Sequence, residues 1–417
     1  MPRRRRRPEA TLGTDGRWHV WVTVGTKANG RPDQRHISRA EQDDAEDAAD
    51  ELLDTVRKTG AAPRAGKKPT VDSWLRTYLD TVAPRKIDPT TVHGYRSKMR
   101  LYVSPVIGAI RLDRLQPEDL DRVYLRMQQA GRADSTIRQT HRILSRALEV
   151  AYRRGLSARN VAKLIDAPTA KAVEMQSLTE DAAAAILAAA HRRRNSARWS
   201  VGLALGLRQG EALGLRWSYV DLAAGEMRVW WQLHRRPWDH GCADGTPTCG
   251  RKRGGNCPQR RRVLRSGEVE LVGGLILKEP KGKSKRTVPI PPGLVEQLRT
   301  HREVQGLERQ FAPVYAGHDL VFAREDGVPV DPGDDWSEWK ALLAAAKVPD
   351  ARVHDGRHTA ATLLLAQGVP LEVVQELLGH SSITVTRGYV HVASAVARAG
   401  VDALGKKLLR GGGRVET

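Results

Sequence analysis

Apolar residues at helical spacing after residue 70 are the feature that most narrows the fold of this 417-residue chain. This stripe would lie on one face of a helix, and it comprises Val71, Trp74, Leu75, Tyr78, Leu79 and Val82. Further helices are predicted over residues 93–103, 117–131 and 134–155. Together these segments predict an all-helical domain over residues 71–165. Its many arginines favour contact with DNA over a merely solvated outer face.

The residues before this domain predict a small sheet and one helix. Apolar and polar residues alternate over 17–25, as in a half-buried strand, and the turn KANG leads to a partner strand over 31–38. Residues 41–60 begin with acidic side chains and end with basic ones and a glycine, which is typical of a helix. We therefore expect a first domain over residues 1–62 and a linker at 63–70.

The remaining sequence mixes helical and strand patterns and predicts a third domain over residues 172–410. The predicted helices cover residues 181–194, 334–347, 358–368 and 371–378. The predicted strands cover residues 225–233, 275–280 and 286–291, and the last two flank the turn KGKSK as a β-hairpin. The predicted fold class is multidomain: a small α+β N-terminal domain, an all-α domain, and a mixed, mainly α domain with a small antiparallel β-sheet. Residues 411–417 form a tail.

The net charge of +21, with a pI near 10.3, indicates a polyanionic partner. No uncharged apolar run approaches the roughly 18 residues of a membrane span. The basic start MPRRRRRPEA lacks the apolar core of a secretion signal, and three cysteines suit a reducing cytoplasm. We expect a cytoplasmic, nucleoid-associated protein without a membrane partner. The basic start is either a solvated tail or an arm for the DNA minor groove, formed by Arg3, Arg4, Arg5, Arg6 and Arg7.

Two short motifs pair an arginine with a polar neighbour three residues away. In GLRQGEALGL, Arg208 and Glu211 would share one helical face or its entry, either as a surface ion pair or as an oriented arginine in an anion site. The glycines on both sides of Arg208 favour the anion site. In HDGRHTAATLLL, His354 and Arg357 begin a helix, where both can face one phosphate.

A third motif, LLGHSSITVTRGYVHV, follows a helix that ends at Gly379. His380 lies just beyond this glycine, and Tyr389 follows nine positions later. Taken singly, a histidine or tyrosine such as His380 or Tyr389 is more often a surface residue whose polar end is hydrogen-bonded. Taken in order with the two arginine motifs, however, they indicate one site built from all four features.

That order of residues resembles the tyrosine recombinase (phage integrase) family. The similarity extends to GLRQGEALGLRW, RTVPIP, HDGRHTAAT, LLGHSSI and YVHV. The segment TIRQTHRILSRALEVAYRRGL looks like the family's core-binding (SAM-like) domain, and the N-terminal sheet and helix look like the arm-binding domain of larger integrases. The resemblance implies a DNA-cutting and rejoining enzyme that integrates or excises a phage or another mobile element.

The family mechanism implies a role for each matching residue. Tyr389 would be the nucleophile that forms a 3′-phosphotyrosyl link and frees a 5′-hydroxyl. Arg208 and Arg357 would hold the non-bridging phosphate oxygens. His354 and His380 would donate hydrogen bonds and assist proton transfer.

Glu211 would support Arg208 from behind. Lys281, in the hairpin turn, best matches the lysine that protonates the leaving 5′-oxygen, with Lys283 and Lys285 as rivals. No metal and no cofactor is needed, because two arginines replace a cation clamp and the phosphotyrosine conserves the bond energy.

The resemblance also implies the partners. These are double-stranded DNA at core and arm attachment sites, a homo-tetramer in the synaptic complex, and accessory directionality and DNA-bending proteins. Further DNA contacts are predicted at Arg138, Arg142, Lys283, Lys285 and Arg286. A type IB topoisomerase-like enzyme that relaxes DNA and a non-catalytic DNA-binding regulator are the alternatives.

An insert over residues 234–270 holds all three cysteines. His240, Cys242, Cys249 and Cys257 have ligand types that suit zinc, yet their spacing contains no C-x2-C pair. Two interpretations stay open here, a structural zinc site and a basic loop that contacts DNA without metal, and the sequence favours the loop.

Overall fold

The computed structural model describes residues 8–26, 30–60, 69–169, 177–242, 248–280 and 284–379. The chain divides into two compact units, Met1–Ala172 and Val173–Thr417. None of the described helices is both long and apolar enough to span a membrane.

The helices and strands are numbered in chain order. The helices are α1 (Gln42–Thr59), α2 (Val71–Thr77), α3 (Pro89–Lys98), α4 (Ser104–Ile107), α5 (Pro117–Gln129), α6 (Asp134–Arg153), α7 (Glu180–Ala190), α8 (Ser196–Ala204), α9 (Gln209–Leu213), α10 (Pro292–Phe311), α11 (Pro332–Ala345), α12 (Val353–Ala366) and α13 (Leu371–Leu378). The strands are β1 (Thr11–Leu12), β2 (Trp18–Thr26), β3 (Pro32–Arg39), β4 (Val220–Asp221), β5 (Glu226–Val229), β6 (Gln232–Arg235), β7 (Val269–Glu270), β8 (Leu275–Lys278) and β9 (Arg286–Pro289).

The predicted N-terminal sheet and helix are confirmed. Strands β1, β2 and β3 form an antiparallel sheet in that order, and α1 packs on one face. Val20, Val22 and Val24 point into the core because side chains alternate along a strand. Helix α1 ends at Gly60 in the left-handed conformation, as its composition predicts. Strand β1 is a two-residue strand that the sequence pattern missed.

The predicted helices after residue 70 are also confirmed. Five of the six stripe residues are buried, and Val82 packs against the same core. Helix α2 continues as a π-helical segment over Tyr78–Val82, and α3 continues in the same way over Met99–Val103. On α6, Arg142 is exposed and Arg138 is partly exposed, so both are accessible for the predicted DNA contacts.

The predicted β-hairpin around KGKSK is wrong. Strand β8 pairs with β6 and β7, whereas β9 pairs with β5, so β8 and β9 are not partners. The consecutive strands β5 and β6 instead pair antiparallel with β9 and β8 respectively. β5 and β9 therefore belong to one sheet and β6 and β8 to another, and the cysteine-containing insert lies between β6 and β8. Local pattern predicts a strand but does not name its partner.

Helix α10 is the main element that sequence analysis missed. Its buried face starts with Leu294, Val295 and Leu298 but continues with His301 and Gln305, so the apolar stripe is interrupted. The two polar side chains are satisfied: the His301 ring lies 2.7 Å from the Val321 carbonyl oxygen, and Gln305 donates to the Leu320 carbonyl at 3.1 Å. Because these buried polar residues interrupt the apolar spacing, that spacing did not predict helix α10.

Buried polar contacts fix the start of α9 against its neighbours. Arg198 of α8 forms a bidentate pair with Asp335 of α11, with both N···O distances 3.0 Å. Gln209, the first residue of α9, donates to the same carboxylate at 2.9 Å. Arg208 directly precedes Gln209, so these contacts also fix its position.

Candidate active site

The start of α9 positions Arg208 beside Glu211. Arg208 is the residue that precedes the helix, and its backbone N–H donates to Glu211 Oε2 at 3.0 Å. Its guanidinium Nη1 donates to Glu211 Oε1 at 2.6 Å. The predicted pair therefore forms at the helix entry. The Arg208 side chain is 35% exposed, so an external anion can reach it.

Arg286, at the start of β9, binds the same carboxylate. Its Nη2 donates to Glu211 Oε2 at 2.9 Å, and its Nε donates to the Leu377 carbonyl at 2.6 Å. The Arg286 side chain is only 4% exposed. The prediction that Arg286 contacts DNA directly is therefore corrected, because its donors are turned inward to Glu211 and to backbone carbonyls.

A sequence signal for this inward direction existed. Arg286, Val288 and Ile290 occupy alternate positions and are all buried, whereas Lys285 and Thr287 are exposed. Side chains at alternate positions of a strand share a face, so the two apolar residues place Arg286 inside.

Glu211 is thus a buried carboxylate shared by two arginines. Its side chain is 1% exposed. Burial raises the pKa of this carboxyl, but the hydrogen bond and charge of Arg286, with the charge of Arg208, outweigh burial and leave the pKa below its usual value. Glu211 is therefore ionised at neutral pH and orients Arg208.

Helix α12 contributes Arg357, which lies close to the same carboxylate. Its Nη1 is 4.0 Å from Glu211 Oε2 and donates to the Gly206 carbonyl at 2.8 Å. Its Nη2 donates to the Leu378 carbonyl. The Arg357 side chain is 2% exposed. Three guanidinium groups and one carboxylate therefore meet here, which leaves a local excess of positive charge.

His354 lies one turn before Arg357 at the start of α12 and is exposed at the surface. The pKa of His354 is lowered to about 4. The main cause is loss of hydration on the inner side of the ring, and nearby positive charges, including those of Arg357 and Arg208, add to it. Its ring meets that of His358 edge to face, with centroids 4.8 Å apart. The imidazole is therefore neutral at pH 7 and can donate one N–H to an anion.

The glycines near Arg208 do allow close approach, but to protein. Gly206 has a φ of +65°, and a Cβ there would overlap the Leu378 side chain. A Cβ at Gly210 would lie 2.7 Å from the Leu233 carbonyl oxygen. The expectation that these glycines favour an anion site is corrected, because they let α13 and β6 pack against the α9 region.

The end of α13 leads directly from this cluster. Gly379 is in the left-handed conformation that ends the helix, as predicted, and its carbonyl oxygen accepts from Arg208 Nη2 at 3.2 Å. Ser284 Oγ also donates to this oxygen at 3.4 Å. His380 therefore follows a residue that is hydrogen-bonded to the predicted catalytic arginine.

Several predicted residues lie outside the described part of the chain. These are Arg3, Arg4, Arg5, Arg6, Arg7, Lys281, Lys283, His380 and Tyr389. Lys285 is described: its Nζ is 2.7 Å from Glu279 Oε1, and its side chain is exposed. The choice among the three lysines stays a prediction.

Several known proteins similar to this chain are named as an integrase or a tyrosine recombinase. The sequence model of the Phage integrase family matches residues 262–395, which contain His354, Arg357, His380 and Tyr389. A protein named "Integrase" from Saccharopolyspora erythraea is 35% identical over 415 residues, which cover 94% of this chain and 94% of that protein. The chain belongs to the phage integrase family of tyrosine recombinases.

Other proteins and solved structures are similar to the chain at lower identity. A "Tyrosine recombinase XerC-like" protein from Caldanaerobacter subterraneus is 27% identical over 392 residues, which cover 90% of this chain and 92% of that protein. The Tn1549 transposon integrase in complex with transposon right end DNA gives a TM-score of 0.61 at 20% identity, over 79% of this chain and 99% of that chain. A lambda integrase dimer bound to a COC′ core site gives 0.53 at 16% identity, over 93% and 96%. These structures show that the chain has an integrase-like fold, mostly helical with small antiparallel sheets.

Proposed function

We infer that this chain is a site-specific DNA recombinase of the tyrosine type. The observation that carries this function is the convergence of Arg208 and Arg357 on one buried carboxylate and on the backbone at the end of α13. Their positive charge lies at the residues from which the chain continues to His380 and Tyr389. Preorganised cations of this kind stabilise the charge that develops on a phosphoryl group under attack.

The proposed reaction begins with attack of the Tyr389 phenol oxygen on a DNA phosphorus. The new bond is P–O(Tyr), and the bond to the 5′-oxygen breaks, which gives a 3′-phosphotyrosyl link and a 5′-hydroxyl. Lys281 supplies the proton to the leaving 5′-oxygen, with Lys283 and Lys285 as the alternatives. Attack by a 5′-hydroxyl from a partner duplex reverses these steps and joins the strands.

In this proposal Arg208 holds the non-bridging oxygens directly, whereas Arg357, whose Nη1 and Nη2 donate to the Gly206 and Leu378 carbonyls, acts on them through its charge. Arg208 is accessible and is oriented by Glu211, whereas the buried Arg357 contributes its charge from behind. His354, neutral before DNA binds, donates a hydrogen bond to the phosphate. His380 is then the candidate to accept the phenol proton. Arg286 is a positioning residue that shares Glu211 and braces Leu377.

The biological reaction that fits this chemistry is integration or excision of a phage or another mobile element. We propose that double-stranded DNA is bound at core sites by residues 71–165 together with residues 172–410, and at arm sites by residues 1–62. The lambda integrase forms a tetramer on a Holliday junction. By analogy, we propose a homo-tetramer for the synaptic complex here, with directionality and DNA-bending proteins as accessory partners.

The test is covalent trapping on a nicked suicide substrate. The full-length protein should form a covalent adduct on a duplex that carries its attachment site, and Tyr389→Phe should form none. Tyr219→Phe is the matched control, because the half-buried Tyr219 ring packs against Trp230 and phenylalanine retains that ring. It should react like the wild type.

Three outcomes would overturn the proposal. An adduct that persists in Tyr389→Phe would assign the nucleophile elsewhere, and no adduct from the wild type on its attachment site would favour a non-catalytic regulator. An adduct accompanied by relaxation of a one-site plasmid, without products joined from two sites, would favour a type IB topoisomerase.

A further inference from the structure

The insert between β6 and β8 brings four side chains with metal-binding chemistry together. The ligand atoms of His240, Cys242, Cys249 and Cys257 all lie within 4.8 Å of one another. Cys249 Sγ is 3.4 Å from His240 Nδ1. Among the described residues, this is the one group of three or more histidine, cysteine or acidic side chains with such a spacing.

These distances are close to those of a tetrahedral zinc site. With Zn–S bonds of about 2.3 Å and Zn–N bonds of about 2.1 Å, a sulfur and a nitrogen ligand lie about 3.6 Å apart and two sulfurs about 3.8 Å apart. Three cysteines and one histidine form a complete four-ligand set of the kind found in structural sites. No coordination position remains for a substrate or a water.

Close backbone approach explains how residues far apart in this segment meet. Asp239 and Arg261 form an antiparallel bridge, with N···O distances of 2.9 and 3.0 Å. A Cβ at Gly254 would overlap the Trp238 carbonyl oxygen, and one at Gly241 would overlap the Gln259 carbonyl oxygen. Glycine at both positions therefore permits the crossing that gathers the ligands.

The insert has almost no hydrophobic core of its own. Among its described residues from 237 to 270, Cys257 alone is buried. A small unit that buries so little apolar surface needs another source of stability, and a structural metal is a common one. Ligands that meet without a hydrophobic core are the arrangement that a structural metal site requires.

The surrounding charge fits the same interpretation. A zinc ion with three thiolates and a neutral histidine carries a net charge of about −1. The neighbouring side chains are basic, and Trp238 stacks with two of them, with Arg262 and Arg260 at 3.4 and 4.9 Å from its ring. Arg262 also pairs with Glu270 of β7, which ties the metal-binding segment to the sheet that contains β8.

We propose that His240, Cys242, Cys249 and Cys257 form a structural zinc site that folds the insert. The site is separate from the arginine cluster, and the proposal holds whether or not the chain recombines DNA. The earlier preference for a metal-free basic loop is thereby replaced: the loop is basic, and zinc gives it a fixed conformation.

The experiment measures metal content and thiol chemistry of the full-length protein. Protein purified under reducing conditions without chelator should contain about one zinc ion per chain, as measured by inductively coupled plasma mass spectrometry. Titration with a mercurial reagent should release this zinc as the three thiols react, and a chromophoric chelator detects the release. Cobalt added to the metal-free protein should give the absorption bands of tetrahedral thiolate coordination.

Variants separate the ligands from bystanders. His240→Ala and Cys249→Ser should retain roughly tenfold less zinc after dialysis against a mild chelator. His191→Ala removes an exposed histidine elsewhere in the same unit and should retain zinc like the wild type.

Wild-type protein that neither contains zinc nor binds added zinc or cobalt would overturn the proposal. A disulfide among these cysteines in protein isolated from a reducing cytoplasm would also overturn the proposal. If the ligand variants fail to fold, the mercurial titration of the wild type still decides, because zinc release without thiol modification contradicts cysteine ligation.

Discussion

Replacing Glu211 by glutamine should destabilise the active-site region strongly, because it removes the charge shared by two guanidinium groups. Arg286 is 4% exposed, so solvent has little access to replace the lost carboxylate. The glutamine NH2 would also face the donors of Arg208 or Arg286, since an amide has only one acceptor oxygen. Removing one partner from a buried ion pair costs about 3–5 kcal/mol, and we expect a loss in this range.

A double-mutant cycle isolates the Glu211–Arg286 interaction. Arg286→Met alone also destabilises the region, because Glu211 then has fewer donors while it remains buried. In the double variant neither charge is left unpaired, so its loss of stability should be smaller than the sum of the single losses by about 2–3 kcal/mol. Each single variant should also form less covalent adduct with DNA, since Glu211 orients Arg208.

Hydrogen exchange followed by mass spectrometry gives the measurement in the full chain. Peptides from α9 and α13 report the free energy of opening around Glu211 without the assumption that several domains unfold together. The matched control is the pair Glu296 and Arg299 on α10, whose side chains are 71% and 52% exposed. Its cycle should give a coupling of less than about 1 kcal/mol.

One result would refute this reasoning. If the losses of Glu211→Gln and Arg286→Met add to within about 0.5 kcal/mol, the two groups are energetically independent. Arg208 would then not owe its orientation to a shared buried charge.

Two further predictions concern the same region. Gly206→Ala should lower the free energy of unfolding, measured by urea titration, by about 1–3 kcal/mol, because it places a side chain at positive φ against Leu378. Gly250→Ala is the control, because Gly250 has a φ of +67° but no atom lies within 4 Å of an added Cβ. Its free energy of unfolding should fall by less. Stability should also fall as the pH decreases below about 6.5, because burial lowers the pKa of His301 and His358, so the unfolded chain binds protons that the folded chain excludes. Urea midpoints at pH 7 and pH 5 test this dependence, and equal midpoints would contradict it.

Local patterns predicted most elements of secondary structure. The apolar stripe from Val71 and the alternation of Val20, Val22 and Val24 were confirmed because each period reports which side chains face a core. Helix ends at Gly60 and Gly379 were confirmed as well, since glycine tolerates the left-handed conformation. The division into three domains and the roles of residues outside the described ranges stay predictions.

Sequence patterns gave wrong or missing predictions where polar residues are buried. Helix α10 was missed because His301 and Gln305 occupy its buried face, and Arg286 was predicted to contact DNA although its side chain is buried against Glu211. In both cases a hydrogen-bonded partner distant in sequence makes the burial favourable. A single sequence does not reveal that partner.

The sequence by itself determined most of the helices and strands, the excess of positive charge and the order of the candidate catalytic residues. The tertiary structure decided which strands pair, that Arg208 and Arg286 share one buried carboxylate with Arg357 close to it, and that one histidine and three cysteines meet in the insert. The physical reason is the range of the interactions. Periodicity and helix ends depend on neighbours within a few residues, whereas strand pairing, buried ion pairs and metal-ligand sets depend on where distant segments come together.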